Sequence, residues 1–269
     1  MMTQQTTTLS KTEEKFAQEL FNAYSSKKPL KETDWKDLVT DTDTAYKVQE
    51  RLTELKNEEV GGYKVSLTSA ETQKMFASDS PLYGAQVTSH FLKAPVTVSL
   101  QDLMEPLVEV ELEFRAKEDL SASDSLEDLM NKTTVAGGLE VPDSRFEDWF
   151  PTLSKYMVMS DAAVGGLVVY GQEYNTNEVF SSVAELADVK CELHHDGKKV
   201  KNGVSSEVLG NPLKSLHWLV EKLESQNKKF AAGQMVSSGT FVLPPKLTAG
   251  KWDVSFSRGL GTVELKVTK

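Results

Sequence analysis

The sequence contains a single cysteine, Cys191. A lone thiol cannot close an internal disulfide, so a reducing compartment is the expectation. Its neighbours alternate apolar and polar, and Cys191 reads as a small core hydrophobe rather than a nucleophile. No apolar run approaches the ~18 residues that a bilayer-spanning helix needs. The segment Met1 to Ser10 lacks the apolar stretch of a signal peptide and reads as a polar, disordered lead. Together these absences give a cytoplasmic protein as the expectation. Positive charge is in deficit, with Lys+Arg 30 against Asp+Glu 40 and a net charge of −10. Such a surface repels phosphate backbones, which argues against nucleic acid as a partner. The acidic residues are spread along the chain rather than gathered in a tail, and no internal repeat is visible.

What is present fits an ordinary globular protein: 269 residues, 39% hydrophobic and 26% charged. That length suits one large domain, or a core domain behind a helical lead. Phe16, Leu20 and Tyr24 recur every four residues, the spacing of an amphipathic helix over 12–24, which Lys27-Lys28-Pro29 would end. Ala45, Val48, Leu52 and Leu55 define a second helix over 44–55, with Asp41 to Asp43 offering capping oxygens. Gly61-Gly62 then breaks the pattern. Strand signals follow at 63–68, 96–100, 108–114, 166–171 and 189–193, and Asp196-Gly197 supplies a hairpin turn. Ser125 and Asp128 have capping-box spacing ahead of a short helix. Asn211-Pro212 starts another, with Leu216, Leu219 and Leu223 as its buried stripe. Strands at 252–257 and 262–267 close the chain. The expectation is an α+β fold, with a helical lead over 1–60 and a strand-rich body over 61–269.

The most informative segment is Pro106-Leu-Val-Glu-Val-Glu-Leu-Glu-Phe114. Successive side chains of a strand point to opposite faces, so Val108, Val110, Leu112 and Phe114 share one face and Glu109, Glu111 and Glu113 the other. Next-but-one α-carbons on a strand lie roughly 6–7 Å apart, close enough for the carboxylates to converge on one cation. Two readings compete. The strand is solvent-facing and its glutamates keep water on one side, or the glutamates hold a metal. Glutamate is a poor strand former, which tilts toward the second. Glu140, at the end of the small, apolar Val-Ala-Gly-Gly-Leu stretch, is either a turn residue or a buried ligand. Carboxylates without a nearby histidine or cysteine form a hard, all-oxygen site that favours Mg²⁺ or Mn²⁺ over zinc.

Five segments, in this order and at this spacing, make the chain similar to a known family: Gly62 to Ser69, Asp79 to Gly84, Pro106 to Phe114, Leu139 to Trp149, and Ser206 to Leu213. From about Tyr46 to Val267 the chain resembles the 2-keto-4-pentenoate hydratase / 4-oxalocrotonate decarboxylase family of the fumarylacetoacetase-like superfamily. The resemblance implies a mixed β-sheet roll of the fumarylacetoacetase C-terminal type. It implies metal ligation by Glu109, Glu111 and Glu140, with Lys64 and Asp79 as catalytic polar residues at a small 2-oxo or 2-hydroxydienoic acid. Ser238-Gly239-Thr240 falls where the family places a hydroxyl and backbone N–H groups near the substrate carboxylate. Read without the resemblance, Lys64 is a snorkelling lysine, Asp79 a turn residue and Ser238-Gly239-Thr240 a plain turn. Homo-oligomers are implied as well.

The chain departs from the family at several points. Ser66 stands where Gly is frequent, and Asp161-Ala-Ala-Val164 replaces the usual Asp-Asn-Ala-Ser, removing two polar groups from the pocket. Late Gly-Asp pairs become Gly233-Gln234 and Gly250-Lys251. The reading placed first is a hydratase that adds water to a 2-hydroxy-2,4-dienoate and yields a 4-hydroxy-2-oxo acid. A decarboxylase of the 4-oxalocrotonate type is the alternative, and Pro81 to Gly84 and Asp143 to Phe146 look somewhat closer to it. A non-catalytic small-acid-binding relative is a third reading, motivated by the altered 161–164 segment. C–C hydrolysis is disfavoured, because His90, His194, His195 and His217 fit no hydrolase motif. His194-His195 reads as a hairpin end, and Arg145 as a structural ion-pair partner.

Overall fold

The computed structural model describes residues 8–269. Most of the expected polar lead lies outside the described residues. Ser10, which was placed in that lead, is ordered. Its hydroxyl accepts from the backbone of Glu13 and the Glu13 carboxylate returns to the Ser10 N–H, a capping box that starts helix α1, Lys11–Ser26. The helix stops at Lys27, which takes a left-handed conformation with φ 56°. Asp41 caps α2, Thr42–Leu55, through the Thr44 N–H.

The body begins with β1, Val60–Ser66, then α3, Ala70–Met75, β2, Leu82–Val87, β3, Phe91–Lys93, and β4, Val96–Ser99. The carboxylate strand is β5, Glu109–Ala116. Helix α4, Leu126–Asn131, leads into β6, Thr133–Val141, and α5, Lys155–Ser160, into β7, Leu167–Tyr170. After these come β8, Tyr174–Asn175, α6, Thr176–Val179, β9, Lys190–His195, β10, Lys198–Val204, and α7, Pro212–Ser225. The chain closes with β11, Met235–Ser237, β12, Gly250–Phe256, and β13, Gly261–Thr268. Among the described residues these strands form two mixed sheets. The larger runs β2-β1-β11-β5-β6-β7-β3, with β8 beside β6, and the smaller runs β10-β9-β12-β13-β4. No helix among the described residues is long and apolar enough to cross a membrane.

The sheets meet on the apolar face of β5 and β6. Gly137 lies opposite Leu112, and a Cβ there would stand 2.4 Å from the Phe256 ring, so the smaller sheet presses directly on that backbone. The acidic face of β5 points the other way, toward α3, α5 and the segments beside them. The lead helices join the same continuous core: Phe16 stacks on Trp35 and approaches Phe146. On α2, the buried Gln49 amide donates to Tyr83 O and Met159 O and accepts from Ala85 N–H, stitching the helix to β2 and α5. The change from helices to strands falls at residue 60.

Two local readings are sharpened. The helical pattern does end before Gly61-Gly62, but the strand begins earlier than its signal at 63, and both glycines lie inside β1, where close approach requires glycine. A Cβ on Gly62 would stand 1.8 Å from Met235 O of the parallel strand β11. Glu140 is not a turn residue; it sits within β6, a strand that its run of small residues concealed. Cys191 is buried on β9, and burial pushes its thiol up to about 11, consistent with an inert core residue.

Arg145 holds the segment before α5 to the segment after it. It pairs with Asp161 in the core, donates to Gly165 O at 2.7 Å and to Asp161 O at 2.8 Å, and leaves Asp161 to accept also from Ser144 Oγ and its own N–H. Removing one member of a buried pair strands the other without a partner. Arg145→Ala is therefore expected to destabilise the fold by about 3–5 kcal/mol. A urea midpoint that barely moves would contradict the role assigned to this pair.

Candidate active site

Strand register assembles the site. Across β5 and β6, Glu109 pairs with Glu140, Glu111 with Gly138 and Glu113 with Ala136. Across the other edge of β5, Glu113 pairs with Ser237 on β11, and Ser237 in turn with Lys64 on β1. Residues paired in register share a face, so Lys64, Ser237 and the four glutamates all point the same way. That face is not solvent-facing, which disposes of the simplest reading of the alternation. Lys64 and Glu140 are each 1% exposed, and Glu109 keeps 16%.

One oxygen from each of Glu109, Glu111 and Glu140 lies within 4.8 Å of the others. The Lys64 ammonium stands 2.5 Å from Glu140 Oε1 and 4.0 Å from Glu109 Oε2. At an effective dielectric of 20, two full charges at this separation repel by about 3 kcal/mol, so the carboxylates cannot all ionise freely beside one ammonium. Burial first, and then the charge of Glu140 on Glu109 and of Glu111 and Glu140 on Glu113, raise these two well above the ordinary carboxylate range. Burial pushes Glu111 up to about 7, with Glu109 adding to it and hydrogen bonds from Ser237 and Gly239 opposing. Glu140 is likewise pushed up to about 7 by burial, against the pull of Lys64. Burial works to lower the Lys64 ammonium, but Glu140, Glu109 and Glu111 outweigh it and hold its pKa above the usual lysine value.

The hydrogen bonds are distributed unevenly. Ser237 Oγ lies 2.6 Å from Glu111 Oε2 and 3.0 Å from Glu113 Oε1. A hydroxyl has one proton, so it can donate to only one of them; a proton on Glu113 completes the second bond. Gly239 N–H donates to Glu111 Oε2 at 2.6 Å. Glu140 Oε1 is met by the Lys64 ammonium, and Glu140 Oε2 is buried without a hydrogen-bond partner among the described residues. A buried carboxylate oxygen left open in this way suits a cation, and an all-oxygen donor set of three suits a hard divalent ion. Glu113 is turned aside: its carboxylate lies over Gly138, where a Cβ would stand 2.1 Å from its Oε1.

The acidic floor opens into a cavity. Lys64, Glu109, Glu111 and Thr240 line its polar end, and Phe76, Trp149, Phe150, Val158 and Val164 its apolar wall. A charged, polar end beneath an apolar wall suits a small organic acid.

The expected site residues divide. The structure brings Glu109, Glu111, Glu140 and Lys64 together. Asp79 is not with them; it is exposed in the loop after α3 and lines no part of the cavity. Of Ser238, Gly239 and Thr240, only Thr240 reaches the cavity. The Gly239 N–H expected to be free is taken by Glu111. The Thr240 hydroxyl donates to Val242 O at 2.9 Å, and the Ser238 hydroxyl is buried without a partner among the described residues. Sequence reasoning missed Ser237, whose neighbours in the Ser-Ser-Gly-Thr run were its only signal, and the aromatic wall, whose members have no local pattern.

No family model matches the chain. Among curated proteins it is 29% identical over 234 residues to the 2-keto-4-pentenoate hydratase of Burkholderia vietnamiensis strain G4, covering 85% of this chain and 87% of that protein. Among solved structures, 4-oxalocrotonate decarboxylase from Pseudomonas putida G7, complexed with magnesium and adipate, superposes with a TM-score of 0.87 at 23% identity. The match covers 97% of this chain and 99% of that one. Fumarylpyruvate hydrolase from Pseudomonas aeruginosa, in complex with Mn²⁺ and pyruvate, gives a TM-score of 0.58 at 16% identity, over 77% of this chain and 88% of the other. The chain is a relative of the 2-keto-4-pentenoate hydratases and has the fumarylacetoacetate hydrolase-like fold that the sequence resemblance implied.

The raised carboxyls make a pH prediction. Below the ordinary carboxylate range both the folded and the unfolded chain hold these protons. As pH rises from the ordinary carboxylate range to about 7 the unfolded chain has lost these protons while the buried cluster still holds them, so the metal-free fold loses stability across that interval. A divalent cation binds the ionised form and offsets that loss. The rise in Tm produced by millimolar Mg²⁺ or Mn²⁺ is therefore expected to be larger at pH 8 than at pH 6. An equal rise at both values would contradict the protonated cluster.

Proposed function

We propose that the chain is a Mg²⁺- or Mn²⁺-dependent hydro-lyase that adds water to a 2-hydroxy-2,4-dienoate and gives a 4-hydroxy-2-oxo acid. The observation that carries this reading is the convergence of three glutamate oxygens within 4.8 Å of one another at the polar end of a cavity that has an aromatic wall. The hydratase relative and the magnesium and Mn²⁺ complexes of two proteins with this fold support it.

In this reading Glu109, Glu111 and Glu140 hold the ion. When bound, the ion supplies a Lewis acid that draws electron density from the carboxylate and 2-oxygen of a 2-oxo acid. The chain's own residues do the rest. Lys64 stays protonated at neutral pH, so it serves as a hydrogen-bond donor and positive charge for the substrate head rather than as a base. Gly239 and Ser237 keep Glu111 aimed at the floor. Thr240 borders the same end of the cavity. The aromatic wall limits water around the conjugated chain, which strengthens every charge interaction below it. Asp79 has no part in this reading, because it stands outside the cavity. Self-association belongs to the same proposal, and light scattering checks it against the 29.8 kDa chain mass.

Turnover of 2-hydroxypenta-2,4-dienoate with Mg²⁺ or Mn²⁺ is the expected outcome, followed as loss of diene absorbance with uptake of water. Release of CO₂ from 4-oxalocrotonate in its place would assign the decarboxylase alternative. Binding of Mn²⁺ and oxalate with no turnover of either substrate would assign a non-catalytic small-acid-binding protein. Lys64→Met is expected to lower kcat by about 10²-fold or more while leaving the ion in place. A variant with wild-type kcat would remove Lys64 from the chemistry.

A further inference from the structure

The wall beyond the glutamates carries no charge. Among the described residues Lys64 is the one cation that lines the cavity, and it stands against Glu140. Phe150 packs 6.3 Å from Phe76 and 5.5 Å from Trp149, ring centroid to centroid. The one polar atom of that aromatic group, the Trp149 indole N–H, is taken by Glu105 O at 2.9 Å. Four hydroxyl residues, Ser66, Thr68, Ser69 and Thr72, also border the cavity; they are uncharged, and Ser69 and Thr72 are bound to each other at 3.0 Å in the cap of α3. A substrate with a second carboxylate at its far end would bury that charge against aromatic rings, beside a floor already crowded with negative charge, and find no counter-ion.

Val164 occupies a special place in this wall. Ala162, Ala163 and Val164 run consecutively through left-handed conformation, with φ of 50°, 55° and 50°. A β-branched residue in that region is a rare and costly choice, and it persists only where its surroundings over-determine it. They do so here. Gln86 donates to Ala162 O at 3.0 Å, Arg145 to Gly165 O at 2.7 Å, and Asp143 N–H to Val164 O at 2.8 Å. Gly84 leaves room for the turn, since a Cβ there would stand 1.9 Å from Ala162 O. A buried scaffold thus fixes an apolar side chain at a cavity position.

We infer that the cavity selects 2-oxo and 2-hydroxydienoic acids whose far end is uncharged and apolar, with Val164 and Phe150 as the residues that exclude a second carboxylate. The inference rests on the head-group reading proposed above and deepens it. It favours hydration of a monocarboxylate over action on a dicarboxylate such as 4-oxalocrotonate.

The test is calorimetric titration of the Mn²⁺-loaded full chain with four stable acids. Pyruvate and oxalate probe the head alone. 2-Oxohexanoate and 2-oxoadipate share a six-carbon chain and differ in the charge at its end. The expected result is binding of pyruvate or oxalate, and 2-oxohexanoate at least tenfold tighter than 2-oxoadipate. Val164→Lys and Phe150→Arg each add a cation to the wall, and at least one of them, shown to be folded by circular dichroism, is expected to narrow or reverse that ratio at least tenfold. If neither pyruvate nor oxalate binds, the head-group reading falls and this inference with it. If pyruvate binds but 2-oxoadipate matches 2-oxohexanoate, or if both folded variants keep the wild-type ratio, the inference alone falls.

Discussion

A single buried ammonium faces four carboxyl groups, three of them fully buried, and most of what is distinctive in this molecule follows from that imbalance. Lys64 lies against Glu140 and within reach of Glu109, while Ser237 and the Gly239 N–H attend to Glu111. None of these groups sits on a flexible surface loop where water could screen it. Each charged group is fixed by strand pairing in the larger sheet, so the charges cannot move apart to relieve their repulsion. The cluster can hold protons, or it can take up a further cation. A fold that accepts this tension at one place is showing where its chemistry lies.

The surrounding architecture is arranged to bear that load. Gly62 lets β1 approach β11 and so brings Lys64 level with Ser237. Gly138 receives the folded-over carboxylate of Glu113, which keeps this fourth acid out of the triad. The smaller sheet packs on the opposite, apolar face of β5 and β6 through Phe256, so one strand divides a hydrophobic core from an acidic floor. On the acid side, Arg145 and Asp161 lock the ends of α5 and its following turn, and this positions Val158 and Val164 over the cavity. Ridding the wall of charge leaves the floor to deal with one anionic head group, and that is the division of labour a metal-assisted enolisation requires.

Much of this could be read from the sequence, and the boundary of legibility has physical causes. The alternation of Glu109, Glu111 and Glu113 with apolar residues gave the strand and its two faces, because a period of two is dictated by the backbone. It could not say that both faces are buried, since burial of the acidic face depends on α3, α5 and loops far along the chain. The capping signals at Asp41, Ser125 and Asn211 marked helix starts correctly because capping is local chemistry. Glycines hid the extent of two strands: Gly61-Gly62 marked the end of the helical pattern but already belong to β1, and the Val-Ala-Gly-Gly-Leu run carried no strand signal although it lies in β6, where close neighbours leave no space for a side chain. The resemblance brought Lys64 and Glu140 to the floor and also suggested Asp79, which the loop after α3 carries to the surface. Ser237 and the wall of Phe76, Trp149 and Phe150 had no pattern to betray them, as tertiary packing alone assembles them.

The central claim is that the oxygens of Glu109, Glu111 and Glu140 together capture one divalent ion. Titration of the full chain with Mn²⁺ at pH 8, followed by electron paramagnetic resonance of the free ion, measures this most directly. The account predicts one tight site per chain that is weakened at least tenfold by Glu109→Gln, Glu111→Gln or Glu140→Gln (about 1.4 kcal/mol or more), and that survives Glu113→Gln. Wild-type Mn²⁺ affinity in Glu140→Gln, or loss of the site in Glu113→Gln alone, would contradict it.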